Sequence, residues 1–240
     1  MKIVISGYGK MGREIEKAAL ARGHEITARL DTPEDWQVDL NQLNSADVVI
    51  EFSTPASVLE NIKKCFSLNL PVVVGTTGWH EHENMVKEWC IMENQSVFAA
   101  SNFSIGMNIL FSLTRQLSVM INRFDDYEVQ LEEVHHIHKL DAPSGTAIKL
   151  AEIILAGLDR KQNWVNRLQA SPGELQILSV RENEIPGIHK ITCESDSEIL
   201  SLVHEAKGRK GLAAGALLAA EWLAGKKGYF GMKDMLSFAE

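Results

Sequence analysis

From residue 2 to about residue 100, short apolar runs alternate with stretches of helical period. Runs at 2–6, 25–30, 47–52, 71–75 and 96–99 have the length and content of buried strands, and apolar positions within 11–22, 55–68 and 80–93 recur at helical spacing. This alternation predicts an α/β unit in which helices cover a parallel sheet. After Asn102 the rhythm changes. Ile105, Ile109, Leu113, Leu117 and Met120 hold a helix period, 127–134 suits a strand, and Ala147, Leu150, Ala151, Ile154, Leu155 and Leu158 mark a second helix. Strand candidates then follow at 175–181, 190–194 and 198–206. Helices and strands are grouped here, which predicts a second domain. A last apolar stretch, 212–224, stops at Gly225 before Lys226 and Lys227, as a helix does. Its most apolar part is interrupted by Gly215 and followed by Glu221, well short of the roughly 20 residues a membrane span needs.

Between the first strand and the first helix lies Gly7-Tyr8-Gly9-Lys10-Met11-Gly12, a GxGxxG run. Glycine there lets the backbone turn and approach a pyrophosphate, while the helix that follows presents free N–H groups and its positive dipole end. The second strand candidate ends at Asp31, about 20 residues beyond the last glycine, where an acid accepts from a ribose hydroxyl. Together these features predict a dinucleotide site. Two more loops, Phe52-Ser53-Thr54-Pro55 and Gly75-Thr76-Thr77-Gly78, follow strand candidates at their carboxyl ends, the edge at which open α/β sheets bind ligands. Small polar residues also make ordinary turns, so this feature weighs less.

The segment 132–147 concentrates His135, His136 and His138 beside Lys139 and Asp141. If the strand runs on to His138, its period of two sets His136 and His138 on one face and His135 on the other. Three converging ligands are then not expected, and no CxxC or HExxH accompanies them, so no metal site is predicted. Ser144 precedes the second helix as a natural N-cap. The amides of Gly145 and Thr146 would point outward from the first turn, and with Lys139 and His136 nearby the loop suits a small dicarboxylate.

Composition narrows the setting. The 240 residues carry 24 Lys and Arg against 32 Asp and Glu, and the net charge of −8 disfavours nucleic acid and anionic membrane as partners. Cys65, Cys90 and Cys193 are widely spaced and odd in number, as expected of reduced thiols in the cytoplasm, and residues 1–7 have no signal-peptide pattern.

The run EVHHIHKLDAPSGTA, together with GYGKMG, GTTG and AASNFSIG, resembles the signature of the 4-hydroxy-tetrahydrodipicolinate reductase family over most of the chain. The resemblance implies an α/β fold with a Rossmann dinucleotide-binding domain, residues 1–104 plus 212–240. A second α+β domain, 105–211, would bind substrate and build a homotetramer. It implies His135 as proton donor, Lys139 as a second catalytic donor, His136 as a substrate contact, and Ser144, Gly145 and Thr146 as the clamp on a substrate carboxylate. Gly7, Tyr8, Gly9, Lys10, Met11, Gly12, Asp31, Gly75, Thr76, Thr77, Ala100, Ser101, Asn102 and Phe103 would hold NADH or NADPH. Asp31 favours NADH, because it would repel a 2′-phosphate, and Thr32 stands where some family members carry an arginine. The implied reaction is hydride transfer to a cyclic, conjugated imine dicarboxylate.

Overall fold

A computed structural model describes residues 1–37 and 40–238. The chain divides into two compact units, Met1–Ser104 with Arg209–Ala239, and Ile105–Gly208. Positions 239 and 240, counted with the first domain from sequence, lie outside the described residues.

The first unit opens with β1 (Lys2–Ser6), α1 (Lys10–Ala21), β2 (Glu25–Leu30), α2 (Leu40–Asn44), β3 (Val48–Glu51) and α3 (Val58–Ser67). It continues with β4 (Val72–Val74), α4 (Glu83–Met92) and β5 (Ser96–Ala99). The second unit comprises α5 (Ile105–Ile121), β6 (Glu128–His135), α6 (Gly145–Gly157), β7 (Asn163–Val165), β8 (Glu174–Arg181), β9 (Ile188–Glu194) and β10 (Ile199–Glu205). The chain then returns to the first unit through α7 (Lys210–Leu223), β11 (Gly228–Phe230) and α8 (Met232–Leu236).

In the first unit the strands lie in the order β11-β5-β4-β3-β1-β2, all parallel. β3 and β4 are buried at every position, which is why 48–50 and 72–74 are continuous apolar runs and not alternating ones. Because β2 and β3 flank β1 on opposite sides, the strand order reverses there, and the carboxyl ends of β1 and β3 are where such sheets take their ligands. Helix α7 buries Ala213, Ala216, Leu217, Ala219, Ala220 and Leu223. Its place is fixed by small residues: a Cβ on Gly215 would lie 1.8 Å from the Phe103 carbonyl oxygen. Glu221 also accepts from Arg22 and contacts His24 at 2.8 Å.

The second unit holds a mixed sheet, β10-β9-β6-β8-β7, in which β6 and β7 run parallel to β8 and the other pairs are antiparallel. Met107 and Leu110 of α5 and Ala147, Leu150, Ala151 and Ile154 of α6 pack against Val129, Leu131, Leu175, Ile177, Ile191 and Cys193. α5 and α6 approach closely because position 157 has no side chain: a Cβ there would sit 2.8 Å from Ser118 Cβ. Among the described residues no helix is long and apolar enough to cross a membrane.

Candidate active site

The glycine loop meets the dinucleotide requirement residue by residue. Gly7 has φ +88°, and a Cβ on it would lie 2.2 Å from the Phe52 carbonyl oxygen, so only glycine makes this turn. A Cβ on Gly12 would lie 2.4 Å from the Gly7 oxygen, so the third glycine lets α1 pack on the loop. Gly9 differs: its φ of −77° suits any residue, and a Cβ there would meet nothing within 4 Å. That open space, at the N-cap of a helix with no side-chain cap, is what a pyrophosphate would fill, so the loop fits the cofactor class.

Asp31 is exposed beside this loop, and its Oδ1 accepts from the Tyr8 amide at 2.8 Å. Its own amide and that of Thr32 donate to Asp35. Tyr8 donates its hydroxyl to Glu16, and the Arg13 and Arg29 guanidinium groups lie 5.8 and 5.7 Å from its ring centre. Arg29 is itself paired with Glu16. Lys10 and Met11 open α1.

At the carboxyl end of β3 lies a buried carboxyl that sequence reasoning missed. Glu51, at the end of β3, accepts from the Ser53 amide at 3.1 Å, from the Ser53 hydroxyl, from Asn61 at 3.3 Å and from the Thr76 hydroxyl at 2.6 Å. It therefore ties the loops after β3 and β4 together. Burial pushes its pKa up, against those hydrogen bonds. Gly75 makes room for the Phe52 ring, since a Cβ there would lie 2.1 Å from it, and Thr77 is exposed. The Ala100 amide donates to the Val74 oxygen, Ser101 is exposed, and Asn102 Oδ1 accepts from the Ser104 amide. Phe103 is 1% exposed and packs on Phe52 and Phe98, so its ring belongs to the core and can serve a ligand through the backbone alone.

In the second unit, strand β6 ends at His135, and the chain turns at residues 137 and 138. The three-histidine strand considered from sequence does not form, because the Ile137 amide turns to the Asn183 oxygen and Lys139 N–H closes onto the His136 oxygen. Val129, Leu131, Glu133 and His135 share the buried face of β6. His136 is half-buried and its ring lies 6.0 Å from that of His138, which pairs with Glu184. Lys139 donates to both oxygens of Asp141, at 2.7 and 3.0 Å.

Ser144 caps α6, its hydroxyl accepting from the Ala147 amide at 3.2 Å. A Cβ on Gly145 would meet nothing within 4 Å, so the first turn, with Gly145 and Thr146, has open space beside it. The Ser144 amide donates inward, to Glu133 Oε1 at 2.9 Å. The same oxygen accepts from Arg181 at 3.2 Å, and Arg181 also holds the Asp141 carbonyl at 2.5 Å. Glu133 Oε2 lies 3.2 Å from His135 Nδ1 and 3.9 Å from His189 Nε2. Burial acts to raise the Glu133 pKa, yet His135 and the Ser144 contacts hold it far below the usual carboxylate range. His189, buried from β9, is pushed down to about 4, chiefly by desolvation, and is neutral near pH 7.

Glu133, Arg181 and His189 escaped the sequence reading. One signal was present: at a period of two, Glu133 falls on the same strand face as Val129, Leu131 and His135, where a charge needs a partner. The ligand atoms of Glu133, His135 and His189 lie within 4.8 Å of one another, as a metal would require. Arg181, however, already places a fixed cation on that carboxylate, 3.2 Å from its Oε1.

A family profile described as dihydrodipicolinate reductase, N-terminus, matches residues 1–103, and its C-terminal counterpart matches residues 106–236. The chain belongs to the dihydrodipicolinate reductase family. A 4-hydroxy-tetrahydrodipicolinate reductase of Christiangramia forsetii is 43% identical over 237 residues, covering 99% of this chain and 98% of its own. One of Neisseria meningitidis is 34% identical, covering 98% and 97%. A dipicolinate-bound dihydrodipicolinate reductase from Paenisporosarcina sp. TG-14 has the same fold, with a TM-score of 0.77 at 24% identity over 98% of each chain. An amine dehydrogenase from Mycobacterium smegmatis shares the fold more loosely, with a TM-score of 0.58 at 8% identity, covering 96% of this chain and 94% of its own. Membership in the dihydrodipicolinate reductase family makes this chain an oxidoreductase of the pyridine-nucleotide class, and the glycine loop is the part of it that fits that cofactor.

Proposed function

We propose that this chain reduces 4-hydroxy-tetrahydrodipicolinate to tetrahydrodipicolinate, a step of diaminopimelate and lysine biosynthesis. The observation that carries this reading is 43% identity, over nearly the whole of both chains, with a reductase of that name. A bound nicotinamide supplies the hydride; overall one hydride and one proton enter and one water leaves.

The chain's own residues bind, orient and protonate. Gly9 and the first turn of α1 receive the pyrophosphate, and Asp31 accepts from a ribose hydroxyl. Gly75, Thr76, Thr77 and the backbone of 100–103 line the nicotinamide end. The α6 amides of Gly145 and Thr146, with Ser144 and His136, hold a ring carboxylate, as helix N-termini hold anions. His135 donates the proton to the ring carbon next to the one that takes the hydride. Lys139 exchanges Asp141 for the substrate, adding charge stabilisation and a second donor.

NADH serves at least as well as NADPH, because the Asp31 carboxylate would repel a 2′-phosphate and Arg29 is occupied by Glu16. The working form is a homotetramer built on the second unit, a reading supported by exposed apolar side chains on β10. Three buried, unpaired thiols suit the cytoplasm.

The test is a coupled assay in which the preceding synthase makes the substrate in situ and loss of NADH absorbance is followed. Absence of turnover with either nicotinamide overturns the reading. A preference for NADPH of about tenfold in kcat/KM overturns the cofactor choice alone.

A further inference from the structure

The position of Glu133 suggests a role that reaches beyond charge pairing. Glu133 is fully buried at the end of β6, and its two oxygens face different partners. Oε1 takes the Ser144 amide and Arg181. Oε2 is buried without an aligned hydrogen bond, and so is His135 Nδ1; the two lie 3.2 Å apart. His189 packs edge-on to the His135 ring with centres 5.2 Å apart, and its Nε2 lies 3.4 Å from the Ser144 hydroxyl. His189 is uncharged near pH 7, so it does not compete for the carboxylate's charge. On the other side of the His135 ring stands Gly187, with φ +155°; a Cβ there would come 3.1 Å from His135 Nε2. One ring nitrogen thus meets a carboxylate, and the other meets the one residue type that leaves it uncovered.

We propose that Glu133 is the positioning residue of the proton donor: it holds a proton on His135 Nδ1, so that the proton given up is the one on Nε2, beside Gly187. This rests on His135 being the donor in the proposed reaction. The partner of one imidazole nitrogen decides which nitrogen carries the proton in the neutral ring. With an acceptor on Nδ1, the protonated ring loses H from Nε2 to the substrate carbon, the C–H bond forms, and the neutral ring keeps Nδ1–H. The ring is recharged at Nε2 by a proton from water. The carboxylate charge, shared with Arg181, balances the protonated ring throughout. Through Oε1 the same side chain also fixes the start of α6, so proton donor and anion clamp are built on one group.

Glu133→Gln separates the two jobs. Its carbonyl oxygen can still accept from Ser144, whereas its NH2 group turns a donor toward Nδ1 and favours the opposite tautomer. We expect kcat to fall about tenfold or more, within the range set by a misdirected general acid, with KM for NADH unchanged. The double variant Glu133→Gln/His135→Gln should be no slower than His135→Gln, since Glu133 acts through the imidazole. Magic-angle-spinning spectra of 15N-histidine-labelled enzyme, assigned by the signal lost in His135→Gln, should show the neutral wild-type ring protonated at Nδ1. In Glu133→Gln it should be protonated at Nε2. A wild-type ring protonated at Nε2 overturns the proposal even if the variant fails to fold. So does near-normal kcat in Glu133→Gln, or multiplied defects in the double variant, which would mean that Glu133 acts only on the loop. Failure of the wild-type enzyme to turn over substrate would instead overturn the proposed function, a result distinct from all of these.

Discussion

Three glycines in one loop carry three different constraints, and substitution should separate them. Gly9→Ala should fold like the parent, because nothing lies within 4 Å of the new Cβ, yet bind NADH more weakly by tenfold or so, because that Cβ occupies the phosphate space. Gly12→Ala should cost roughly 1–3 kcal/mol of stability, because its Cβ meets backbone that cannot move aside. Thermal unfolding with and without NADH reads both effects, and equal destabilisation by the two would contradict the assignment. His189 makes a second residue-scale prediction. Its folded pKa, about 4, lies below the ordinary value of 6.5, so between these the unfolded chain takes up a proton that the folded chain refuses. Stability is therefore full above pH 6.5 and lost as pH falls toward 4, by on the order of 3 kcal/mol. Glu133, held low, contributes stability that is lost only as pH falls below its ordinary 4.5. The urea midpoint should drop between pH 7 and pH 4.5, and drop less in His189→Gln; an equal drop in both would place the proton uptake elsewhere. The glycines and Ser144 were legible in the sequence because their reasons are local: a turn, a phosphate, a first helical turn. Glu51, Glu133, Arg181 and His189 were not, since part of what explains each buried group lies far along the chain, 25 residues away for Glu51–Thr76 and 56 for Glu133–His189.

The elements that sequence patterning found were those with a full period to display. The five strands β1 to β5 fall on the apolar runs, and α1, α3, α4, α5, α6 and α7 fall on the helical ones. β7 and β11 were not expected: each has three residues, too few for an alternation, and each exists because a neighbour's edge, β8 or β5, offers it hydrogen bonds. The end of β6 was also ambiguous from sequence. The residues suit a strand over 127–134 and leave an extension to His138 open, whereas pairing of the sheet stops at His135. Helix α6 gives the test that belongs to this scale. Replacing Gly145 with a bulky residue leaves the N-cap bond of Ser144 in place and fills the open space outside the first turn. KM for the substrate should rise tenfold or more, as for loss of a charge-assisted hydrogen bond, with NADH affinity nearly intact. A parallel loss of NADH affinity would assign this turn to the cofactor or to folding.

For the whole molecule, light scattering at micromolar concentration should give the mass of four chains, and a monomer would end the tetramer reading. The exposed positions Ile199 and Val203 on edge strand β10, 63% and 56% exposed, are where association should be sensitive. Val203→Lys, opposite Lys190 in the β9–β10 ladder, should lower the assembled mass while leaving far-ultraviolet circular dichroism unchanged. The division of the chain into a first unit interrupted by a second bears on synthesis. Ile105–Gly208 is one continuous stretch whose strands all find their partners within it. The parallel sheet is different: the outer side of β5 is left without β11, and α7 is missing, until residues 210–230 have been made. As the chain is made, every strand of the middle unit has its partners by residue 208, whereas the N-terminal hundred residues lack β11 and α7 until residue 230. During that wait a sheet edge and an apolar face stand open, and closing them needs contacts some 130 residues apart in sequence, such as Ser96 with Lys226. A nascent chain stalled just after Gly208 would be the form of this protein most in need of a chaperone.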